Sequence, residues 1–411
     1  MANKKLLIIV LIVIILLVIG FILLKNYQKS KCGDSICQKW EQKNGSCSID
    51  CNANNGKNFP DSTTYKVKNV RTLTNKGGRV EWGPNNIIAF DRKEKDGNYD
   101  IWTINLDGMN EKCLTCNKSN IPQGMNGNPS WHPSGKFIAF QSEDTELFSK
   151  LKILERFART PGGGLNNNLW ITNADGSQFW QITQVAARMG VLHPKFSYDG
   201  KKILWAEKVS YDPESWGSWV MKVADFMVEN GEPKLTNIIE VKPGNMQFYE
   251  TNGFSPDNSK IIYSAFPEDK NKKTYYSKLT ALDEFFYDLK TQKVTRLTNT
   301  PLEWDEFAKF SPDGQKIVFM SSQDTAQNRD KNGDIVGDNL RSDFWIMDAD
   351  GSNQQRLSHF NVPGYQEYSL SGITVATFGF SPDGKALAVK IRRLPSKFDE
   401  AEEIVIIELE K

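Results

Sequence analysis

The sequence is short of the groups most catalysts use. Only three of its 411 residues are histidine, His132, His193 and His359. Two of them, His132 and His193, fall near the same recurring turn, which is too few to argue for a histidine metal centre, and turn packing is the expected role. No Gly-x-Ser-x-Gly elbow occurs, so an α/β-hydrolase nucleophile has no strained turn to sit on. No His-Glu-x-x-His helix and no phosphate-cradling glycine loop occurs either. Charge of one sign is also lacking. Lys and Arg total 51 against 50 Asp and Glu, a net charge of +1, and this excludes the basic footprint of a nucleic-acid binder.

What the chain has is repetition. Six copies of one phrase run through it, each an aromatic residue followed by Ser-Pro-Asp-Gly or a variant. They are Trp82-Gly83-Pro84-Asn85-Asn86, Trp131-His132-Pro133-Ser134-Gly135, Phe196-Ser197-Tyr198-Asp199-Gly200, Phe254-Ser255-Pro256-Asp257-Asn258, Phe310-Ser311-Pro312-Asp313-Gly314 and Phe380-Ser381-Pro382-Asp383-Gly384. Repetition on this scale marks a propeller, a solenoid or an array. The Pro-Asp-Gly core is a turn: proline presets φ, aspartate bonds its own backbone and glycine accepts positive φ. After each turn comes a β-branched and aromatic run such as Phe137-Ile138-Ala139-Phe140 or Ile317-Val318-Phe319. A third strand follows, such as Phe344-Trp345-Ile346-Met347. A fourth ends in a Leu-Thr-like pair, as in Arg296-Leu297-Thr298 and Arg356-Leu357-Ser358.

Four antiparallel strands per copy make a propeller blade, which buries its remaining apolar surface only against neighbouring blades. The expected fold is all-β, a six-bladed β-propeller over residues 63–411. In the sixth copy three strands precede Lys411. Val70-Arg71-Thr72-Leu73-Thr74-Asn75 matches the fourth-strand segment Val294-Thr295-Arg296-Leu297-Thr298-Asn299, so residues 70–75 are expected to complete the last blade beside Glu403–Leu409. That removes an exposed edge. The Phe-Ser-Pro-Asp-Gly repeats, with Trp345-Ile346-Met347-Asp348-Ala349-Asp350-Gly351 and Arg356-Leu357-Ser358 downstream, resemble TolB-type propeller repeats over about residues 66–411. Related repeats also form the propellers beside hydrolase domains of the prolyl oligopeptidase family. The resemblance implies fold, and fold alone carries no function.

Residues 1–25 contain an apolar run, Leu6 to Leu24, broken only by Gly20. At about 1.5 Å per residue it nearly spans a hydrocarbon core of about 30 Å, and it exceeds a signal-peptide core. It is expected to be an uncleaved transmembrane signal anchor. Residues 26–62 hold Cys32, Cys37, Cys47 and Cys51 in a small cysteine-rich module and linker. Disulfides are expected there, with a four-cysteine zinc site as the rival. Cysteines pairing downstream of an anchor place the propeller outside the cytoplasm. Cys113 and Cys116 form a Cys-x-x-Cys read as a local disulfide.

Two insertions interrupt the repeats. Residues 145–158 show helical spacing of Leu147, Leu151, Leu154 and Phe157. In the other, Asp330, Asn332, Asp334 and Asp338 alternate like the start of a Ca²⁺ loop, but Ile335 replaces the expected glycine and Arg341 the expected glutamate. A plain polar hairpin tip is the alternative. No catalytic residue emerges from these motifs. The functional expectation is therefore a membrane-anchored, non-catalytic scaffold for protein or cell-envelope partners, with a metal-assisted polysaccharide lyase or hydrolase, or a ligand sensor, as alternatives.

Overall fold

The structure is a computed structural model describing residues 65–410, except 148–158, 212–216, 245, 247, 268–281, 332, 334, 336–339, 396–401. The expected membrane span, Cys32, Cys37, Cys47 and Cys51, most of the 145–158 insertion, and Asn332, Asp334 and Asp338 lie outside the described residues. No helix among the described residues is long and apolar enough to cross a membrane.

Six four-stranded antiparallel sheets make a ring of blades. The innermost strands, in blade order, are Val80–Trp82, Gly127–Trp131, Gly190–Phe196, Tyr249–Phe254, Asp305–Phe310 and Ile373–Phe380. The third blade differs most from the repeat. Its outer strands run Ser218–Glu229 and Glu232–Val241, an extended hairpin. The closing strand is Lys66–Thr74, which pairs with Glu402–Glu410 in the sixth blade, Val70 opposite Ile407 and Thr72 opposite Val405.

Strand alternation explains the ring. Successive side chains point to opposite sheet faces, so each blade feeds two interfaces. Ile203 and Trp205 pack toward blade 2, while Leu204 and Ala206 pack toward blade 4. Ile261 and Tyr263 face blade 3, while Ile262 faces blade 5. One buried apolar cluster fills each of the six blade interfaces.

The repeated polar residues are latches. In the turns, Ser197, Ser255, Ser311 and Ser381 donate to the aspartate two residues on at 2.7, 2.5, 2.6 and 2.7 Å. Each also accepts the backbone N–H five residues on. The Ser255 hydrogen bond is the main reason Asp257 is pulled down to about 2. Neighbouring turns also touch. Gly200, at φ 70°, lies where a Cβ would meet His132 Nε2 at 2.5 Å, and that nitrogen bonds the Gly200 carbonyl at 3.0 Å. His132 therefore does pack a turn.

The Leu-Thr pairs work similarly. Thr115, Thr183, Thr298 and Ser358 each accept a third-strand N–H, from Ile101, Leu169, Glu284 and Phe344 at 2.8–3.0 Å. Each donates its own proton to a side chain at the start of that strand, Asp100, Asn168, Asp283 or Asp343. Thr298→Val keeps the shape but orphans a buried N–H and removes a donor from the Asp283 carboxylate. It should lower stability by roughly 2–3 kcal/mol. Denaturant unfolding measures this, and a midpoint equal to wild type would rule the latch out.

Candidate functional site

The channel is built by a shared defect. Five innermost strands carry a β-bulge at the same place, with register shifts at Gly127/Ser130, Leu192/Lys195, Thr251/Gly253, Glu306/Lys309 and Val375/Phe378. A bulge leaves one residue unpaired and re-aims a side chain. Asn128, His193 and Phe307 take left-handed backbone there, at φ 53°, 48° and 63°. Pro129 and Pro194 sit beside two of these residues, where a missing N–H removes no ladder bond. Such strained positions cluster at working sites.

Counted back from the aromatic of each repeat, the third residue is Arg79, Asn128, His193, Thr251, Phe307 or Thr377. The residue just before the aromatic is Glu81, Ser130, Lys195, Gly253, Lys309 or Gly379. Members of both sets, Asn128, His193, Lys195, Thr251, Phe307, Lys309 and Thr377, line one cavity together with Asn252. Its empty space is about 280 Å³, counting the part open to solvent.

Two charged groupings face this cavity. In the first, His193 Nδ1 lies 2.6 Å from Glu250 Oε1, with both side chains buried. Glu250 is hydrogen-bonded to Glu306, and Glu306 Oε2 accepts the Trp304 indole N–H at 2.8 Å. The close contact suggests a charged imidazolium, yet burial pushes His193 down to about 3, aided by the Arg79 and Lys195 charges. Burial also raises Glu250. Burial and the Glu250 charge hold Glu306 well above the ordinary carboxyl range. The consistent arrangement has neutral His193 donating Nδ1–H to Glu250, and protonated Glu306 donating to the same carboxylate. His193 Nε2 is then a buried nitrogen without a hydrogen-bond partner.

In the second grouping, Glu81 Oε2 accepts from Lys195 Nζ at 2.9 Å and from Lys309 Nζ at 2.8 Å. Burial alone would raise Glu81, but the two ammonium groups hold it low. Burial lowers Lys309 to about 8, despite the nearby Glu81 charge.

Residues behind the ring fix these positions. Asp91 accepts the N–H groups of Arg79 and Asn128 at 2.8 and 3.0 Å. Gln141 accepts from Asn128 Nδ2 at 2.8 Å and from the His193 N–H at 3.3 Å. Thr251 donates to the His193 carbonyl at 2.8 Å. Glu284, raised well above its ordinary range by burial, accepts the Ala308 N–H at 3.0 Å and holds Asn252 at 3.2 Å. The bulged backbone is therefore held from outside the channel as well as within it.

The residues singled out by sequence motifs lie elsewhere. Cys113 and Cys116 are disulfide-bonded at the fourth strand of blade 1, close to Asp100. Asp330 accepts the Gly333 N–H in a tight turn, and Arg329 beside it pairs with Glu303 at 2.7 Å. His359 stacks on Tyr365 with ring centroids 3.6 Å apart. His193 was expected to pack a turn and instead lines the channel. The usable signal was the pair of offsets before each aromatic, where His, Lys and Glu stand in otherwise apolar or small-residue surroundings.

No family profile matches the chain. It is 24% identical over 256 residues to the dipeptidyl-peptidase 5 of Porphyromonas gingivalis, covering 57% of this chain and 35% of that protein. To the dipeptidyl-peptidase 5 of Porphyromonas endodontalis it is 22% identical, covering 54% and 33%. The chain thus spans about a third of the length of these curated relatives. Among solved structures it is similar to a protein described as a TolB from Agrobacterium tumefaciens, with 15% identity, a TM-score of 0.48, and 77% and 90% of the two chains covered. The peptidase relatives overturn the expectation of a non-catalytic scaffold and of a chain that is no enzyme. Linear motifs also do not register the channel cluster, which is assembled from single residues of separate blades.

Proposed function

We propose that the protein is a peptidase-like enzyme acting on short peptides, with His193 as the general base in the propeller channel. One observation carries this reading. The Nδ1 of His193 is held by Glu250 while its buried Nε2 has no partner in a cavity-lining position. A base needs its ring oriented by a second group and its lone pair facing the reactants. Nε2 takes a proton from an attacking water as oxygen bonds to the scissile carbonyl carbon. Glu250 stabilises the imidazolium, and the proton then passes to the departing amine as the C–N bond breaks. The dipeptidyl-peptidase relatives support peptides as the substrate class.

The test is turnover by the full chain of a panel of peptides with free and blocked N-termini, read as released amine. Cleavage of at least one peptide class is expected. No cleavage across the panel by folded protein would end this reading. We further propose that the enzyme is membrane-anchored through Leu6–Leu24 and works outside the cytoplasm, a location supported by the apolar run and by the Cys113–Cys116 disulfide.

A further inference from the structure

We propose that the channel corner between Lys195 and Lys309 is a carboxylate-binding site that takes the free C-terminus of a short peptide. The proposal rests on the peptide reading above and adds which end of the substrate enters and what holds it. Two ammonium groups share one carboxylate oxygen, Glu81 Oε2, at 2.9 and 2.8 Å. One lysine would suffice to neutralise that glutamate. The Glu250 carboxylate, whose charged form Lys195 favours, balances the second, and both lysine side chains are only 17% and 15% exposed. Each ammonium has three N–H groups, so one bond to Glu81 leaves donors on both. Both lysines line the cavity, with Thr251, Thr377 and the Phe307 ring as further walls.

The site's placement fits the same ligand. Lys195 lies two residues beyond His193 on one strand, so the two line the same wall. A carboxylate at the lysines therefore brings the last residues of a peptide toward Nε2. Glu81, Lys195 and Lys309 belong to blades 1, 3 and 5, and the equivalent positions of blades 2, 4 and 6 are Ser130, Gly253 and Gly379. Long charged side chains alternate with small ones, which leaves space beside the lysines. The other cation of the ring, Arg79, is 3.7 Å from Asp91. Desolvation has already weakened the Lys309 proton's hold, and a bound anion would restore it.

The rival is a staple, in which Glu81 and the lysines only tie three blades together. Calorimetry separates the two, using glycyl-phenylalanine and its C-terminal amide as probes. Such a dipeptide acid is a product-like ligand, so binding is read without turnover. The acid is expected to bind at least tenfold tighter than the amide. Lys309→Met should erase that preference and Lys309→Arg should retain it. Glu81→Gln should tighten the acid severalfold, because it removes the competing carboxylate and leaves both ammonium groups in place. A staple predicts equal binding of acid and amide, and a Glu81→Gln variant that only melts earlier; either result overturns the proposal. Phenylacetate binding as tightly as the dipeptide acid would overturn the peptide part in favour of small free acids. Acid preference without any peptide cleavage would leave the carboxylate site standing and remove the peptidase reading. Cleavage with no acid preference would do the reverse.

Discussion

Internal deletion of residues 66–75 should abolish cooperative folding of the propeller, or lower its stability by an amount comparable to a domain's whole margin of about 5–15 kcal/mol. The closing strand pairs along its length with Glu402–Glu410, from Lys66 opposite Glu410 to Thr74 opposite Ile404. Removing it opens a sheet edge whose third strand carries Ile404, Val405, Ile406 and Ile407, all 0–2% exposed. Val67 and Val70 would leave the cluster shared by blades 5 and 6. The Arg71 Nη2 bond to the Leu106 carbonyl, 2.8 Å, would be lost from blade 1. An unpaired edge rich in Ile and Val is also a template for association, so concentration-dependent light scattering should rise on heating. Val70→Pro is the milder variant. Proline fixes φ and weakens a strand interior, so it should lower stability by less than the deletion. A deletion protein with an unchanged melting temperature would show that the ring closes by other means.

The difference between what the sequence disclosed and what it hid has a physical cause. Repeat structure is written locally. An aromatic, a Ser-Pro-Asp-Gly turn and a β run lie within a dozen residues, and each element satisfies its own hydrogen bonds, as Ser255 does with Asp257 and Lys260. The closing strand was legible because Val70–Asn75 carries the fourth-strand signature ahead of any blade. The channel cluster is non-local. His193, Glu250 and Glu306 are each separated by more than fifty residues, and Glu81 meets Lys309 across 228 positions. No spacing rule links them until the ring is closed. The bulges hide them further. A strict alternation of in and out would send His193 toward a blade interface, and only the left-handed backbone at φ 48° turns it to the channel. The Cys-x-x-Cys and the Asp330 loop stood out because their partners are close in sequence, and neither lines the channel cavity.

Replacing His193 with asparagine should lower kcat/KM on a peptide substrate by about 10²–10⁴, the usual contribution of a positioned base, which corresponds to about 3–5 kcal/mol of transition-state stabilisation. Asparagine is the informative choice because it accepts positive φ better than most residues, so the bulge at φ 48° should survive. A melting temperature near that of wild type would confirm that only the chemistry changed. Resting His193 holds a proton poorly, since burial pushes it down to about 3. It is therefore neutral throughout the range from pH 5 to 8, and no acid limb near 6.5 should appear from it. The same burial penalises the imidazolium formed during reaction, and this makes Glu250 necessary. Its carboxylate, 2.6 Å from Nδ1, is the counter-charge that lets the transfer proceed. Glu250→Gln should thus cost at least tenfold in kcat/KM with little change in KM. Glu306→Gln should be nearly silent, because the protonated carboxyl and the amide can both donate to Glu250. Lys309 loses its charge near 8, so activity that depends on its ammonium should fall as pH rises through 8, and Lys309→Arg should move that limb upward. Undiminished turnover in the His193→Asn variant would remove the channel base from the mechanism, whatever the fate of the surrounding glutamates.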